Sequence, residues 1–267
     1  MANAPPRNSK VRVPVIRQVP AVTRAVAVLK YLARIEAPAG VVQLADALGI
    51  IPSTCLHILR VLHAEGLVAC QPATKKYQLG AGILALARAF ESKDAFVRTV
   101  HPHLESFAER HRCTAVGIEL DANDHFVVVS SASASAGMSV TVMVGTRMPA
   151  MVSATGRCLA AFGSWPMAEL KTKFAALRWQ NPPKFETWYK EVQETRRRGY
   201  GIDQGNYMGG ITVIAIPIFD DKMAIVGALA CVQLSDQMTA KGIKTRAGEL
   251  QRVAARVSAE LGYRPTG

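Results

Sequence analysis

Residues 41–66, VVQLADALGIIPSTCLHILRVLHAEG, hold two short apolar segments separated by a glycine and a proline three positions apart, and no other stretch limits the fold as much. Gly49 suits the left-handed backbone that ends a helix, and Pro52 suits a first helical position, where its missing N–H leaves no bond unmade. The spacing predicts a short helix, a tight turn at Gly49, and a second helix running to Gly66. Ala45, a small residue four before the turn glycine, lets the two helices cross closely, which is a helix-turn-helix signature. Upstream, Val22, Val26, Leu29 and Ala33 recur at four- and three-residue spacing. They predict another helix, with Thr23 near its start as a cap and the breaker APAG at 37–40 as its end.

After Gly66, LVACQPATKKYQLG reads as two short strands around a turn at Pro72 to Lys75. A basic hairpin in that position is a wing. The apolar-rich run from Ile83 toward Lys93 predicts a linker helix that joins two domains and packs against a second subunit. The expected organisation is a flexible basic arm over 1–20, a winged helix-turn-helix over 21–79, the linker over 80–95, and a separate domain over 96–267.

Charge supports a polyanion partner for the first part. Residues 1–94 carry twelve Lys/Arg against five Asp/Glu, whereas residues 95–267 carry twenty against fifteen. The surplus is concentrated in the shorter segment, as nucleic-acid binding requires, although solubility alone explains charge equally well. The first twenty residues hold four prolines, four basic residues and no acid, a composition that does not form a core. Five scattered cysteines without CxxC spacing suggest neither a disulfide framework nor a zinc site. No apolar run approaches the roughly 18 residues of a membrane span, and the N-terminus lacks a signal-peptide core, so a cytoplasmic setting is expected.

From residue 96 the pattern is α+β. FVRTVHPHLESFAERH reads as a helix despite Pro102. TAVGIEL and HFVVVSSA read as strands joined by a turn at 121–124, and MSVTVMV as another strand. ATGRCLAAF and ETWYKEVQETRRRG are helical, VIAIPIFD and AIVGALACVQL are buried strands, and GELQRVAARVSAELG is an amphipathic final helix. A sheet flanked by helices, with an antiparallel hairpin near its end, suggests a small-molecule sensor.

The helix after Gly49 carries short polar groups at its start, Ser53 and Thr54, and His57 and Arg60 one turn later. That arrangement suits a helix in a DNA major groove, with His57 and Arg60 reaching base edges or phosphates. Leu56, Ile58, Leu59 and Leu62 are expected to face the core. Lys75, Lys76 and Tyr77 would set the wing on the backbone or minor groove, and Arg24 and Pro52 complete the candidate DNA-binding set. Plain alternatives remain: Ser53 as an ordinary helix cap, His57 as a surface histidine.

The segments VTRAVAVLKYLA, LADALGIIPSTCLHILRVLHAEGLV and KKYQLG, followed in order by PAMVSATGRCLAA, RRRGYGIDQGNYMGGITVIAIPIFD and VGALACVQL, resemble the IclR family of bacterial transcriptional regulators over nearly all of residues 20–264. The resemblance implies a dimer or tetramer. In each subunit a winged helix-turn-helix would be joined to a GAF-like effector domain with a central antiparallel sheet. It implies double-stranded DNA with a pseudo-palindromic operator as partner, a small organic acid as effector, RNA polymerase as a further partner, and no cofactor or membrane. The family usually has arginine at the position of His57. By resemblance the effector pocket is lined by Met148, by Ser153, Ala154, Thr155 and Gly156, by Asp203, and by Thr212, Val213, Ala230 and Val232. Arg157 is either an assisting cation or an exposed arginine, and Asp203 either a pocket group or the cap of a turn. Where relatives often carry polar Cys or Ser, this chain has Val213, Ala230 and Val232, so an aromatic or bulky carboxylic acid is expected over a two-carbon oxoacid. Met138, Met143, Met148 and Met151 are either an adaptable apolar wall or ordinary core.

Two other classes stay in view. An enzyme is suggested only by GAGILA at 80–85, which fits GxGxxA without a βαβ unit around it, and by HPH at 101–103, which lacks further metal ligands at suitable spacing. There is no GxSxG nucleophile elbow. An architectural nucleic-acid binder would explain the charge but not a separate domain of some 170 residues.

Overall fold

Pro20 opens the first helix of the structure, a computed structural model that describes residues 19–93, 95–121, 124–260 and 262. The arm over 1–18 and the middle of the turn at 121–124 lie outside the described residues. The chain divides into two units, Met1–Phe90 and Glu91–Gly267.

The first unit contains α1 (Pro20–Leu32), α2 (Val41–Leu48), α3 (Pro52–Ala64), β1 (Val68–Cys70), β2 (Tyr77–Leu79) and the start of α4 (Gly82–Lys93). Gly49 takes φ +63 as the α2 C-cap, and the Ile50 N–H reaches back to the Ala45 carbonyl at 3.0 Å. The chain direction turns by 112° between α2 and α3, within the range of helix-turn-helix pairs. Val28, Leu44, Ala45, Cys55 and Leu59 form the centre of this core. The face of α1 that packs is Val28 and Leu32, with Ala25 and Leu29 at its margin, rather than the expected Val22–Val26 stripe. Val22 and Val26 are 60% and 42% exposed. Two overlapping apolar stripes run along this helix, and periodicity cannot choose between them. Thr23 is not the cap: its hydroxyl donates to the Val19 carbonyl, and Val19 is the N-cap residue.

β1 and β2 pair antiparallel, Cys70 opposite Tyr77, and Tyr77 also exchanges backbone hydrogen bonds with Ala39 at 2.8 and 2.9 Å. This second pairing draws Tyr77 inward, to 8% exposure. Its expected place on the outer surface of the wing is therefore corrected: the ring is a core group. Gly80 and Gly82 lie on the Gly66 carbonyl, and a Cβ there would come within 2.3 and 2.7 Å of that oxygen. Close backbone approach explains both glycines, and β2 has an antiparallel hairpin partner rather than a βαβ crossover.

The second unit is built on a six-stranded antiparallel sheet in the order β5-β4-β3-β8-β7-β6. The helix α5 (Ala95–His111) runs through Pro102 into β3 (Thr114–Leu120) and β4 (His125–Ser133). A short β5 (Arg147–Pro149) leads to α6 (Ser153–Phe162), α7 (Met167–Ala175) and α8 (Phe185–Arg198). The chain then returns through β6 (Gly201–Gln204), β7 (Ile211–Phe219) and β8 (Ile225–Leu234) to α9 (Ala240–Glu260). Strand alternation sends Ala115, Ile214, Ile216, Leu229 and Cys231 to one face, where α5 and α9 contribute Leu104, Phe107 and Leu250. It sends Val116, Ile118, Ala215, Ala230 and Val232 to the other, beneath α6–α8 and Trp188.

The expected strand MSVTVMV is a segment without regular secondary structure, outside the sheet. Side-chain hydroxyls replace the ladder there: Thr114 Oγ1 donates to the Val140 carbonyl at 2.6 Å and Ser131 Oγ to the Val142 carbonyl at 2.7 Å. α9 begins eight residues ahead of Gly248, which lies inside it. β5, β6 and α7 are too short or too weakly patterned for periodicity to reveal.

Gly80→Ala is expected to destabilise the first unit by about 2–3 kcal/mol, since its Cβ meets backbone rather than a side chain that can swing away. Gly248→Ala, with open space at mid-helix, is expected to stabilise by about 0.5–1 kcal/mol. Urea denaturation of both variants, followed by circular dichroism, checks the opposite signs.

Candidate functional site

The outer face of α3 follows from helix geometry. Cys55, Leu59 and Leu62 are buried on one side, and Ser53, His57 and Arg60, at four- and three-residue spacing, form an exposed row on the opposite side. Thr54 is half-buried beside that row, and Leu56 and Ile58 are half-buried rather than fully in the core. Ser53 does not cap the helix: Ile51 is the N-cap residue, with no side-chain cap bond, and Pro52 follows it. The first turn carries no acid either, so the positive end of the helix is neither capped by a side chain nor offset by an acidic one.

The wing turn is closed by the Gln71 N–H to the Lys76 carbonyl at 2.8 Å and the Lys75 N–H to the Gln71 carbonyl at 2.9 Å. Lys75 takes φ +55, and both lysines are exposed. Arg24 is exposed on α1. The row on α3, the two lysines and Arg24 belong to one unit, whereas Tyr77 is withdrawn from this surface. Burial raises the Tyr77 hydroxyl above its ordinary pKa, with smaller raising contributions from Cys70, against a lowering from Arg60.

The second unit holds a cavity of about 270 Å³ over the α6–α8 face of the sheet. Its floor is Val116 and Ile118 of β3, Val213 of β7, and Ala230 and Val232 of β8. Residues 140–143, Met148, Tyr207, Met208 and Ile211 complete the lining. Of the expected pocket residues, Met148, Ser153, Thr155, Val213, Ala230 and Val232 line it. Ala154, Gly156, Asp203 and Thr212 do not. Thr212 falls one position out of phase with Val213, so strand alternation turns it to the other face, where its hydroxyl meets Ser235 Oγ at 2.9 Å. Ala154 is core. Gly156 lies under the backbone of Met151, which a Cβ would approach to 2.0 Å.

Asp203 is a structural group. Its carboxylate accepts the Asn206 N–H at 2.8 Å and the Tyr207 N–H at 3.2 Å, fixing the loop that carries Tyr207 to the cavity. Arg157 is neither exposed nor in the lining. It is fully buried: Nε donates to Glu191 at 2.8 Å, Nη1 to the Ser153 carbonyl at 3.0 Å and Nη2 to Asn206 Oδ1 at 2.7 Å, with Asp203 at 3.8 Å. Met143 and Met148 border the cavity, Met151 is core, and Met138 is exposed on the surface.

The polar side chains of the lining are those of Thr141, Thr146, Arg147, Ser153, Thr155 and Tyr207. Arg147, the one cation of the lining among the described residues, is paired with Asp121 at 2.8 Å. Thr155 donates to the Val152 carbonyl at 3.1 Å. Ser153 is different. It is 4% exposed, its Oγ has no partner, and its φ is +57, a conformation that non-glycine residues rarely adopt. It stands at the start of α6, where backbone N–H groups and the helix dipole favour an anion. The hydroxyl of Ser153 was legible in the sequence; its strain and lack of a partner were not. The 140–143 wall reads from sequence as a strand, with Met143 as apolar wall or core, whereas Tyr207 and Met208 lie in a loop that pattern alone does not assign to the cavity.

Asp203→Ala is expected to destabilise the second unit by about 3 kcal/mol, since it releases two backbone N–H groups and removes a carboxylate from a buried guanidinium. Urea denaturation measures the loss, and faster hydrogen exchange at Asn206 and Tyr207 locates it.

Known proteins share both units. The IclR helix-turn-helix domain matches residues 21–72, and the C-terminal domain of the bacterial transcriptional regulator IclR matches residues 92–259. The glycerol operon regulatory protein of Streptomyces griseus is 26% identical over 249 residues, covering 92% of this chain and 98% of its own length. An IclR transcriptional regulator from Alicyclobacillus acidocaldarius has a crystal structure with a TM-score of 0.81 at 27% identity, covering 92% of this chain and 100% of its own. An IclR homologue from Microbacterium hydrocarbonoxydans, solved in complex with 4-hydroxybenzoate, has a TM-score of 0.72 at 18% identity, covering 90% of this chain and 98% of its own.

Proposed function

The chain belongs to the IclR family of bacterial transcriptional regulators, and from that premise we propose that its DNA affinity is set by an aromatic monocarboxylate bound in the second unit. It is a DNA-binding regulator rather than an enzyme, as its named relatives are. The finer assignment rests on one observation: a mainly apolar cavity whose buried, unpartnered donor, Ser153 Oγ, stands at a helix N-terminus. A carboxylate placed there accepts from Ser153 and the first N–H groups of α6, while a ring lies against Val116, Val213, Ala230 and Val232. A two-carbon oxoacid leaves that apolar floor unfilled. A relative with the same fold holds 4-hydroxybenzoate, which supports the ligand class.

On the DNA side, the exposed row of Ser53, His57 and Arg60 reads bases or phosphates from the major groove, with Pro52 and Thr54 at the helix start. Lys75, Lys76 and Arg24 contact the backbone, a division of labour between positioning and readout. A homodimer presents two such helices to a pseudo-palindromic operator, and effector binding shifts the population between arrangements of differing affinity. The setting is the cytoplasm, where chromosomal DNA lies.

Calorimetry is expected to show tight binding of benzoate or 4-hydroxybenzoate and weak binding of glyoxylate and pyruvate. Ser153→Ala is expected to weaken the aromatic acid about tenfold. Tight glyoxylate binding with silent aromatic acids overturns the ligand class.

For DNA, Lys75→Ala is expected to weaken binding to all duplexes and reduce the salt slope by about 1, whereas His57→Ala changes sequence preference. Titrations of selected and scrambled duplexes at several salt concentrations separate the two. Equal affinity for both duplexes would favour an architectural role.

A further inference from the structure

With α3 in the major groove, the reading on which this rests, we propose that Ile51 reads sequence by packing against the 5-methyl group of a thymine. Two isoleucines follow the turn glycine, and they part company. Ile50 packs against the core of the first unit, whereas Ile51 is 69% exposed. It stands two residues before Ser53, at the head of the exposed row formed with His57 and Arg60.

The fold has no use for this side chain. Ile51 is the N-cap residue of α3, where serine, threonine, aspartate or asparagine would bond a first-turn N–H and stabilise the helix. Isoleucine cannot, and the core does not take it either. Its position is nonetheless fixed. φ −63 and ψ 132 give it the extended conformation that a following proline favours, and its carbonyl accepts the Cys55 N–H at 3.0 Å. A β-branched side chain on a fixed backbone has few rotamers to lose, so a contact costs it little entropy.

The chemistry of the groove selects the partner. Phosphates and most of each base edge present charge, donors and acceptors, and an aliphatic group laid on these removes water without replacing its bonds. The thymine 5-methyl is the apolar group that the major groove offers. Residues at the N-terminal end of a recognition helix are the ones that reach base edges, and Ile51 is there. Val61 is also exposed, at 62%, but lies about 15 Å further along the helix axis and serves as the control.

The test uses a duplex that the full chain selects from a random pool, resynthesised with deoxyuridine in place of thymidine. Deoxyuridine pairs with adenine in the same way and lacks only the 5-methyl. The unsubstituted chain is expected to prefer the thymine duplex by about fourfold for each methyl that Ile51 covers, the worth of one buried methyl-sized group. In Ile51→Ala that preference is expected to fall by the same factor, and in Val61→Ala to stay. Ile51→Ser supplies a capping hydroxyl, so it is expected to melt at a higher temperature and still lose the preference, which separates readout from helix stability. Equal affinity of the unsubstituted chain for the two duplexes, or a preference undiminished in Ile51→Ala, overturns the role of Ile51 and leaves the groove reading standing. Failure to select any duplex over a scrambled one overturns both.

Discussion

A buried guanidinium organises the second unit. Removed from water, Arg157 must be paired, and each partner comes from a different part of the chain: the Ser153 carbonyl from the start of α6, Glu191 from α8, Asn206 and Asp203 from the end of β6 and its loop. Satisfying one side chain thus fixes three pieces of backbone. The same three pieces set the strained serine and carry Tyr207 to the cavity. Packing alone would leave those positions adjustable, because apolar contacts are not directional. The geometry of the cavity is therefore a consequence of satisfying a charge that does not itself line it.

This explains which parts of the site were legible. Val213, Ala230 and Val232 could be placed because strand alternation is a property of sequence, and the family resemblance supplied the phase. Thr212 was misplaced by one residue of that phase, enough to put it on the opposite face. Arg157 and Asp203 were ambiguous for a different reason: a charged residue in a sequence gives no sign of whether a distant partner will bury it. Their pairing crosses 46 positions, from α6 to β6, and only the folded sheet brings them together. The first unit shows the same division. Gly49, Pro52 and Ala45 act through local backbone geometry and could be read directly. Tyr77 depended on a bridge to Ala39, 38 positions away, and was assigned to the surface instead.

The two faces of α3 express one rule with opposite outcomes. Cys55, Leu59 and Leu62 recur at helical spacing and are buried; Ser53, His57 and Arg60 recur at the same spacing, half a turn round, and are not. A helix of this length has too little surface to serve core and ligand with the same residues. The polar row is there because the apolar row has already secured the helix. Pro52 contributes by starting α3 without a side-chain cap, so the first-turn N–H groups are not satisfied from within by a capping serine or aspartate.

Ser153 is both strained and unpartnered. A non-glycine residue at positive φ carries a conformational cost of about 1–3 kcal/mol, and an unpartnered hydroxyl in a buried site adds a desolvation cost of similar size. Neither is offset within the side chain itself. The strain is held by the backbone turn around it, where Gly156 lies under Met151 and its N–H reaches the Val152 carbonyl at 2.8 Å. Such a hydroxyl gains more from an acceptor than one already bonded to protein, because no existing bond must first be broken. An acceptor with an apolar body gains further, since the rest of the wall offers it Val, Ile and Ala. Under the proposed function, selectivity follows from a mostly apolar wall: Arg147 is committed to Asp121 and Thr155 to Val152, so Ser153 and the hydroxyl-bearing Thr141, Thr146 and Tyr207 are the lining side chains left to meet a ligand's polar groups.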